Sequence, residues 1–335
     1  MLSRRDLLVP RPPPISAEPP PVSLFRYRQT AMATGWEVVV PAAGTGQLEL
    51  IDSAFELLHQ IEARLTVYRE DSEVSSLNRL AKGQATRVSP MLASLLERSV
   101  AWHCQTRGAF DIACGRMIKA WGFFRGPAGI PEASVLASQE KVNGMDKLEF
   151  QAESKVFTWK SPGVELNLGC VGKGFAVDEM ASALSTKGSI PAGMIQCGGS
   201  SARAWGPCPG ETEGWRVAVR HPWVEEKVIA EVVVKDAGIG TSAGSFRHLV
   251  HEGRRLPHVL DPRTARPAEG LATVTVLAPD AGMADALSTA FFVLGIGESA
   301  AILGQWPEVS ALFMEDSGKI SVIGQHSHRF HVCCS

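Results

Sequence analysis

Residues 147–184 read KLEFQAESKVFTWKSPGVELNLGCVGKGFAVDEMASAL. Three short β-rich runs, near 147–151, 155–159 and 164–168, follow one another before a single helical stretch from about Lys173 to Leu184. In a doubly wound fold each strand would hand over to a helix; here the strands cluster, which predicts an α+β fold with mixed or antiparallel sheets and packed helices. Downstream the clustering continues at 193–197, 215–219 and 228–234. A final strand, Ala272 to Ala278, runs through Pro279-Asp280 into a helix over about 281–294. Upstream, Trp36 to Val40 reads as a strand, and Ala54, Leu57, Leu58, Ile61 and Leu65 recur at helical spacing over about 51–65. Ser89 is an N-cap for a second helix carrying Leu92, Leu95, Leu96 and Val100 on one face, with Gly108 beyond its end.

The chain has 335 residues, 45% hydrophobic and 20% charged, enough for one or two domains with a full core. Its 33 basic and 35 acidic side chains leave a formal charge of -2, which offers no electrostatic footprint for a nucleic-acid backbone or an anionic membrane. Uninterrupted apolar runs fall short of the roughly 18 to 20 residues of a bilayer crossing, so no transmembrane segment is expected. Residues 1–22, rich in proline, read as a disordered leader, and 23–330 as the folded unit. The cysteines at 104, 114, 170, 197, 208, 333 and 334 have no metal-ligand spacing and read as reduced thiols, which favours a cytoplasmic location. The alternative is export: Ser3-Arg4-Arg5-Asp6-Leu7-Leu8 looks like a degenerate twin-arginine start, although Val9-Pro10-Arg11-Pro12 is no apolar h-region.

Four local patterns could carry chemistry. Gly238-Ile239-Gly240-Thr241-Ser242-Ala243 fits GxGxxA, but the segment after it is too short for a crossover helix and a return strand. Gly169-Cys170-Val171-Gly172-Lys173-Gly174 lacks Walker spacing. It is a glycine-rich turn opening a helix, where N–H groups and a lysine could hold an anion. Asp285 and Thr289, four apart on a helix, put two oxygens on one face for a hard cation; a dipole-favoured Asp and a Thr bonded back to a carbonyl fit the same spacing. His258-Val259-Leu260-Asp261-Pro262-Arg263-Thr264 gathers polar groups in a loop, where a plain Asx-Pro turn also explains Asp261.

The order of these signals resembles the ApbE-type FAD:protein FMN transferases over roughly residues 30 to 295. Met32-Ala33-Thr34-Gly35-Trp36 is similar to the family's MGTxW, and Tyr68 through Asp71-Ser72 to Asn78 to its TYxxDSxxxxxN. Gly108-Ala109-Phe110-Asp111 with Trp121-Gly122-Phe123 resembles GAFDxTxGPLxxxWGF, and Leu168 to Asp178 resembles DLGxxxKGYAxD. Gly198-Gly199 falls at the family's double glycine and the GxGxxA stretch at its TSG segment. His258 to Pro267 resembles HxIDPxTGRP, and Ala284-Asp285 to Thr289 its ADxxxT metal helix.

The resemblance implies two lobes forming one catalytic unit, in which a magnesium-dependent enzyme cleaves the FAD pyrophosphate. FMN would pass to a threonine or serine of a target protein, with release of AMP. By the same analogy Asp285, Thr289 and the carbonyl of Cys170 would hold the metal. Met32, Tyr68, Ala109, Phe110, Asp111, Asn167, Lys173 and Val259 would contact FAD, and His258 would help the attacking hydroxyl lose its proton. The partners implied are FAD and a flavin-acceptor protein with a Thr/Ser motif. The alternatives are an FAD pyrophosphatase yielding FMN and AMP, and a non-catalytic FAD-binding protein. Several positions depart from the pattern: Asn167 replaces an aspartate, Ala113 a threonine, Ala265 a glycine, and Ala243 is an extra residue whose expected effect is on the mouth where a target peptide enters.

Overall fold

Strand β1 (Leu24–Ala31) turns back at Met32-Ala33 into β2 (Thr34–Pro41), and this hairpin forms one edge of an eight-stranded sheet. In the computed structural model, which describes residues 8–10, 23–42, 46–188, 190–245 and 248–333, that sheet continues through six more strands. They are β3 (Gly193–Cys197), β4 (Ser201–Trp205), β5 (Ala237–Ala243), β6 (Leu271–Ala278), β7 (Ser310–Glu315) and β8 (Ile320–Gly324). Order in space follows order in the chain and every neighbouring pair is antiparallel. The α+β expectation, with antiparallel pairing and packed helices, therefore holds.

Both faces of the sheet are covered, so period-2 alternation sends side chains into two cores. Trp36, Val38 and Val40 face the helices with Ile195, Val274 and Phe313. Val39 faces the other way with Met194, Ile239 and Leu312, under a hairpin of Trp215–Arg220 and Val228–Val234. Each fully buried side chain of this kind contributes about 1.5–3 kcal/mol. Leu8–Pro10, within the expected leader, pairs with Trp215–Arg220; the rest of residues 1–22 lies outside the described residues.

Four long helices lie on the first face: α1 (Gln47–Leu65), α2 (Pro90–Gln105), α3 (Gly172–Ser182) and α4 (Ala281–Leu303). Ser89 caps α2 by accepting the Leu92 N–H at 3.3 Å, as its sequence predicts, with Pro90 at the first helical position. Helix α4 extends past the expected 294 because a second helical segment follows a break at Gly295 (φ 72°). By length and composition α4 could cross a membrane, with a mean hydropathy of 1.7 over its most apolar window. Here it packs on β5, β6 and α3, 56% of that window is buried within the protein, and Asp285 interrupts its apolar run.

Two expectations change. Residues 164–168 form no strand: Leu166 donates its N–H to Asn78 Oδ1 (2.7 Å) and accepts from Asn78 Nδ2 (3.0 Å), so a side chain takes the place of a ladder. Ala272–Ala278 is not the last strand, since β7 and β8 follow. The GxGxxA stretch, to which sequence pattern assigns no element, is the central strand β5, paired with β4 and β6. Ala243 continues that ladder opposite Thr273 and is buried at the end of the strand.

The alanines that replace family glycines at 33 and 265 sit at φ 57° and 55°, in the left-handed region where a Cβ costs roughly 1–2 kcal/mol. Ala33→Gly and Ala265→Gly are each expected to raise stability by about 1 kcal/mol, the added chain entropy of glycine offsetting part of the relief. Urea midpoints at constant m-value check this.

Candidate functional site

Helix α4 comes unusually close to the elements beneath it. A Cβ on Gly240 would lie 2.5 Å from the carbonyl carbon of Ala284, and one on Gly174 would lie 2.2 Å from the carbonyl oxygen of Ala281. The glycines that imitate a dinucleotide fingerprint are thus seats for a helix. Seated this way, α4 points Asp285 into a cleft between the sheet and a smaller apolar cluster of Cys114, Met117, Trp121, Phe123, Leu260 and Ala265. With its mouth included the cleft encloses about 1300 Å³.

Asp285 is buried. Its carboxylate accepts the Gly174 N–H at 2.8 Å and the Ser201 hydroxyl at 2.8 and 2.9 Å. Burial pushes its pKa up to about 6, although Lys173, Ser201 and the Gly174 N–H pull the other way. Thr289 lies one turn further on; its hydroxyl meets Ser242 Oγ at 3.1 Å, which also meets Ser288 Oγ at 2.9 Å. Cys170 lines the same wall. Burial raises its thiol to about 12, so the side chain stays protonated and the backbone carbonyl is the oxygen donor it offers.

Among the described residues no group of three or more His, Cys, Asp or Glu side chains is placed to hold a metal. The metal donors that the resemblance implies are all oxygens, the Asp285 carboxylate, the Thr289 hydroxyl and the Cys170 carbonyl, and their three residues all line this cleft. That set fits magnesium, which needs few protein ligands and keeps waters or phosphate oxygens for its other positions.

Asn167, Lys173, His258, Val259, Ala109 and Asp111 line the cleft with the three donors, and Tyr68 stands at its rim. Asn167 Oδ1 accepts the Gly169 N–H at 2.9 Å, tying down the lysine turn, a role for which one oxygen suffices. Tyr68 stacks on Phe124 with centroids 4.7 Å apart and Arg125 over both rings. His258 packs edge-on to Phe123. Asp111 faces the cleft, but its oxygens accept the Ala113 N–H (2.7 Å) and the Met145 N–H (2.9 Å), with His103 Nδ1 3.3 Å away. Burial raises its pKa against those three partners, and it acts as a brace for the loop.

Two expected site residues are not among those lining the cleft. Phe110 is fully buried, edge-on to Trp102 at 5.9 Å, and is a core side chain. Met32 occupies the β1–β2 turn at φ 48° and donates its N–H to Glu62 Oε1 at 2.8 Å.

The geometry also brings in residues that sequence reasoning passed over. Ser201 is one. Asp178, which closes the lysine-helix motif, is another: its carboxylate accepts the N–H groups of Ala281 (2.9 Å) and Gly282 (2.8 Å) and pairs with Arg203 (2.8 Å). Burial, then the charge of Asp280, pushes Asp178 up to about 7. Burial acts on Asp280 too, but Arg98 at 2.5 Å and the Met283 N–H outweigh it and hold that carboxyl below its usual range.

This collinear set of motifs has counterparts. The ApbE family model matches residues 32–313. The chain belongs to the ApbE family. It is 32% identical over 273 residues to the FAD:protein FMN transferase of Escherichia coli K12, covering 79% of this chain and 76% of that one. Against the FAD:protein FMN transferase of Treponema pallidum the identity is 31% over 280 residues, with 79% and 76% covered. The ApbE protein of Thermotoga maritima superimposes with a TM-score of 0.83 at 27% identity, covering 92% of this chain and 99% of that one. The flavin transferase ApbE of Vibrio cholerae, at 24% identity and a TM-score of 0.81, shares the fold. The relatives' class, transferase, is the one the motif order implied for this ApbE-family member.

Proposed function

We propose that this chain is a magnesium-dependent FAD:protein FMN transferase that attaches FMN through a phosphoester to a threonine or serine of an acceptor protein and releases AMP. The observation that carries the reading is the meeting, in one cleft, of Lys173, Asp285, Thr289 and His258, whose segments are far apart in the chain. A lysine, a buried carboxylate with neighbouring hydroxyls, and a histidine are what attack on a pyrophosphate asks of a protein: positioning, charge stabilisation and a proton acceptor.

The acceptor oxygen forms a bond to the phosphorus on the FMN side while the P–O–P bridge to AMP breaks, AMP leaving with the bond's electron pair. The hydroxyl proton passes to His258. Lys173 neutralises phosphate charge as the bridge opens, and Asn167 keeps the lysine turn in place. Magnesium, when held by Asp285, Thr289 and the Cys170 carbonyl, supplies Lewis-acid stabilisation of phosphate oxygens. A cytoplasmic location is part of the proposal, with export the alternative that fractionation would reveal.

Incubation with FAD, magnesium and a threonine-containing peptide tests the reading. The expected result is a gain on the peptide of the FMN mass less one water, with equimolar AMP. FMN and AMP without peptide modification would replace transfer by FAD hydrolysis, and intact bound FAD would leave a binding protein. Lys173→Ala is expected to lower the rate by about 100-fold or more, the scale of removing one preorganised electrostatic contact. Single-turnover AMP release measures it.

A further inference from the structure

We propose that Asp178 is a positioning residue, the far bolt of a two-point clamp that sets the height and rotation of α4 so that Asp285 and Thr289 meet their cation; this rests on the magnesium reading above.

The clamp is reciprocal. Gly174, in the first turn of α3, donates its N–H to Asp285 on α4, while Ala281 and Gly282, in the first turn of α4, donate theirs to Asp178 on α3. The bonded positions are four residues apart on each helix, 174 and 178 on one and 281 and 285 on the other. At 1.5 Å per residue the two bolts stand about 6 Å apart. Strand β4 repeats the spacing: Ser201 donates to Asp285 and Arg203 pairs with Asp178, two residues apart on one face, or about 6.6 Å. Each helix thus donates to the carboxylate of the other, and β4 supplies one further partner to each of the two.

One bolt alone would leave α4 free to pivot. The second fixes both its shift along α3 and its rotation, and it satisfies two N–H groups that a helix start otherwise leaves without intrahelical partners. Asp178 has no place among the residues lining the cleft, so its influence on chemistry runs through α4. It is also buried, and its two oxygens match the two backbone donors and the guanidinium. Asparagine, with one acceptor oxygen and an NH2 in place of the other, cannot serve all three.

The test titrates magnesium into the full-length protein and follows thermal stabilisation, with AMP release from FAD measured in parallel. Asp178→Asn is expected to raise the magnesium midpoint about 10-fold, the lower end of the ~10–100-fold cost of losing a direct outer partner of a metal ligand, because Asp178 bonds the α4 backbone and not the ligands themselves. AMP release at saturating magnesium should stay within a few-fold of the parent. Amide exchange at Ala281 and Gly282 should accelerate. Arg203→Met, which keeps both backbone bonds, should move the midpoint the same way by less, and it stands in if the asparagine variant does not fold. An unchanged midpoint, or a loss of activity equal at every magnesium concentration, overturns the clamp. If the parent protein shows no response to magnesium, the metal reading falls instead. The clamp is then decided by amide exchange alone, and unchanged exchange at 281 and 282 in Asp178→Asn removes it.

Discussion

Asp285→Ala is expected to abolish AMP release and flavin transfer, by at least about 1000-fold, while leaving a folded protein. In the proposed magnesium site its carboxylate is the one acidic group, since neither Thr289 nor the Cys170 carbonyl brings charge. The alanine also strands the Gly174 N–H and the Ser201 hydroxyl, so Asp285→Asn is the cleaner companion, keeping one acceptor in place of two. Magnesium-dependent AMP release at the parental rate in either variant would remove Asp285 from the reaction.

The same residue predicts an opposite effect on stability. Burial raises the Asp285 pKa from 3.8 to about 6, so in metal-free protein the folded state holds this proton more tightly than the unfolded chain. Stability from this group is then greatest below about pH 4 and falls as pH rises to about 6, above which the ionised, buried carboxylate costs up to about 3 kcal/mol. Asp285→Asn lacks that slope and is expected to melt higher than the parent at pH 8 without magnesium. Saturating magnesium should stabilise the parent, narrowing or reversing the gap. Melting temperatures at pH 4 and pH 8, with and without the ion, separate these effects.

How far the sequence discloses this site depends on which interactions run along the chain and which across it. Asp285 and Thr289 are legible because helical spacing alone puts them on one face, and the lysine turn because glycines flank it at a helix start. The helices over 51–65 and after Ser89 follow from periodicity and a cap. Strand β5 is not legible: its glycines lower strand propensity, and they are there because α4 lies on them, a fact about a segment more than forty residues away. Residues 164–168 fail in the other direction, since β-type side chains meet Asn78 instead of a neighbouring strand. Phe110 misleads because a motif says that a segment reaches the cleft, not which of its side chains does. Asp178 is visible as the last letter of a motif, but its partners at 281 and 282 are set by tertiary packing.

The seat under α4 makes the second large prediction. Gly240→Ala is expected to destabilise the protein at or beyond the upper end of the ~1–3 kcal/mol typical of overpacking, and to lower AMP release by about 100-fold. The added Cβ would stand 2.5 Å from the carbonyl carbon of Ala284 and 2.6 Å from the amide nitrogen of Asp285, and backbone cannot swing aside as a side-chain tip can. Gly240 is itself held in register between Ser201 and Val276, so relief comes from lifting α4. A lift of about 1 Å carries Asp285 and Thr289 away from Lys173 and the Cys170 carbonyl, and misplacement on that scale costs roughly 100-fold in rate. Gly35→Ala on β2 is the control: nothing lies within 4 Å of its added Cβ, and a small or slightly stabilising effect is expected. Denaturant midpoints and single-turnover AMP release on both variants decide the matter. Were Gly240→Ala to keep the parental midpoint and lose only affinity for FAD, the glycine would be approaching the dinucleotide, and the account of β5 as a helix seat would be wrong.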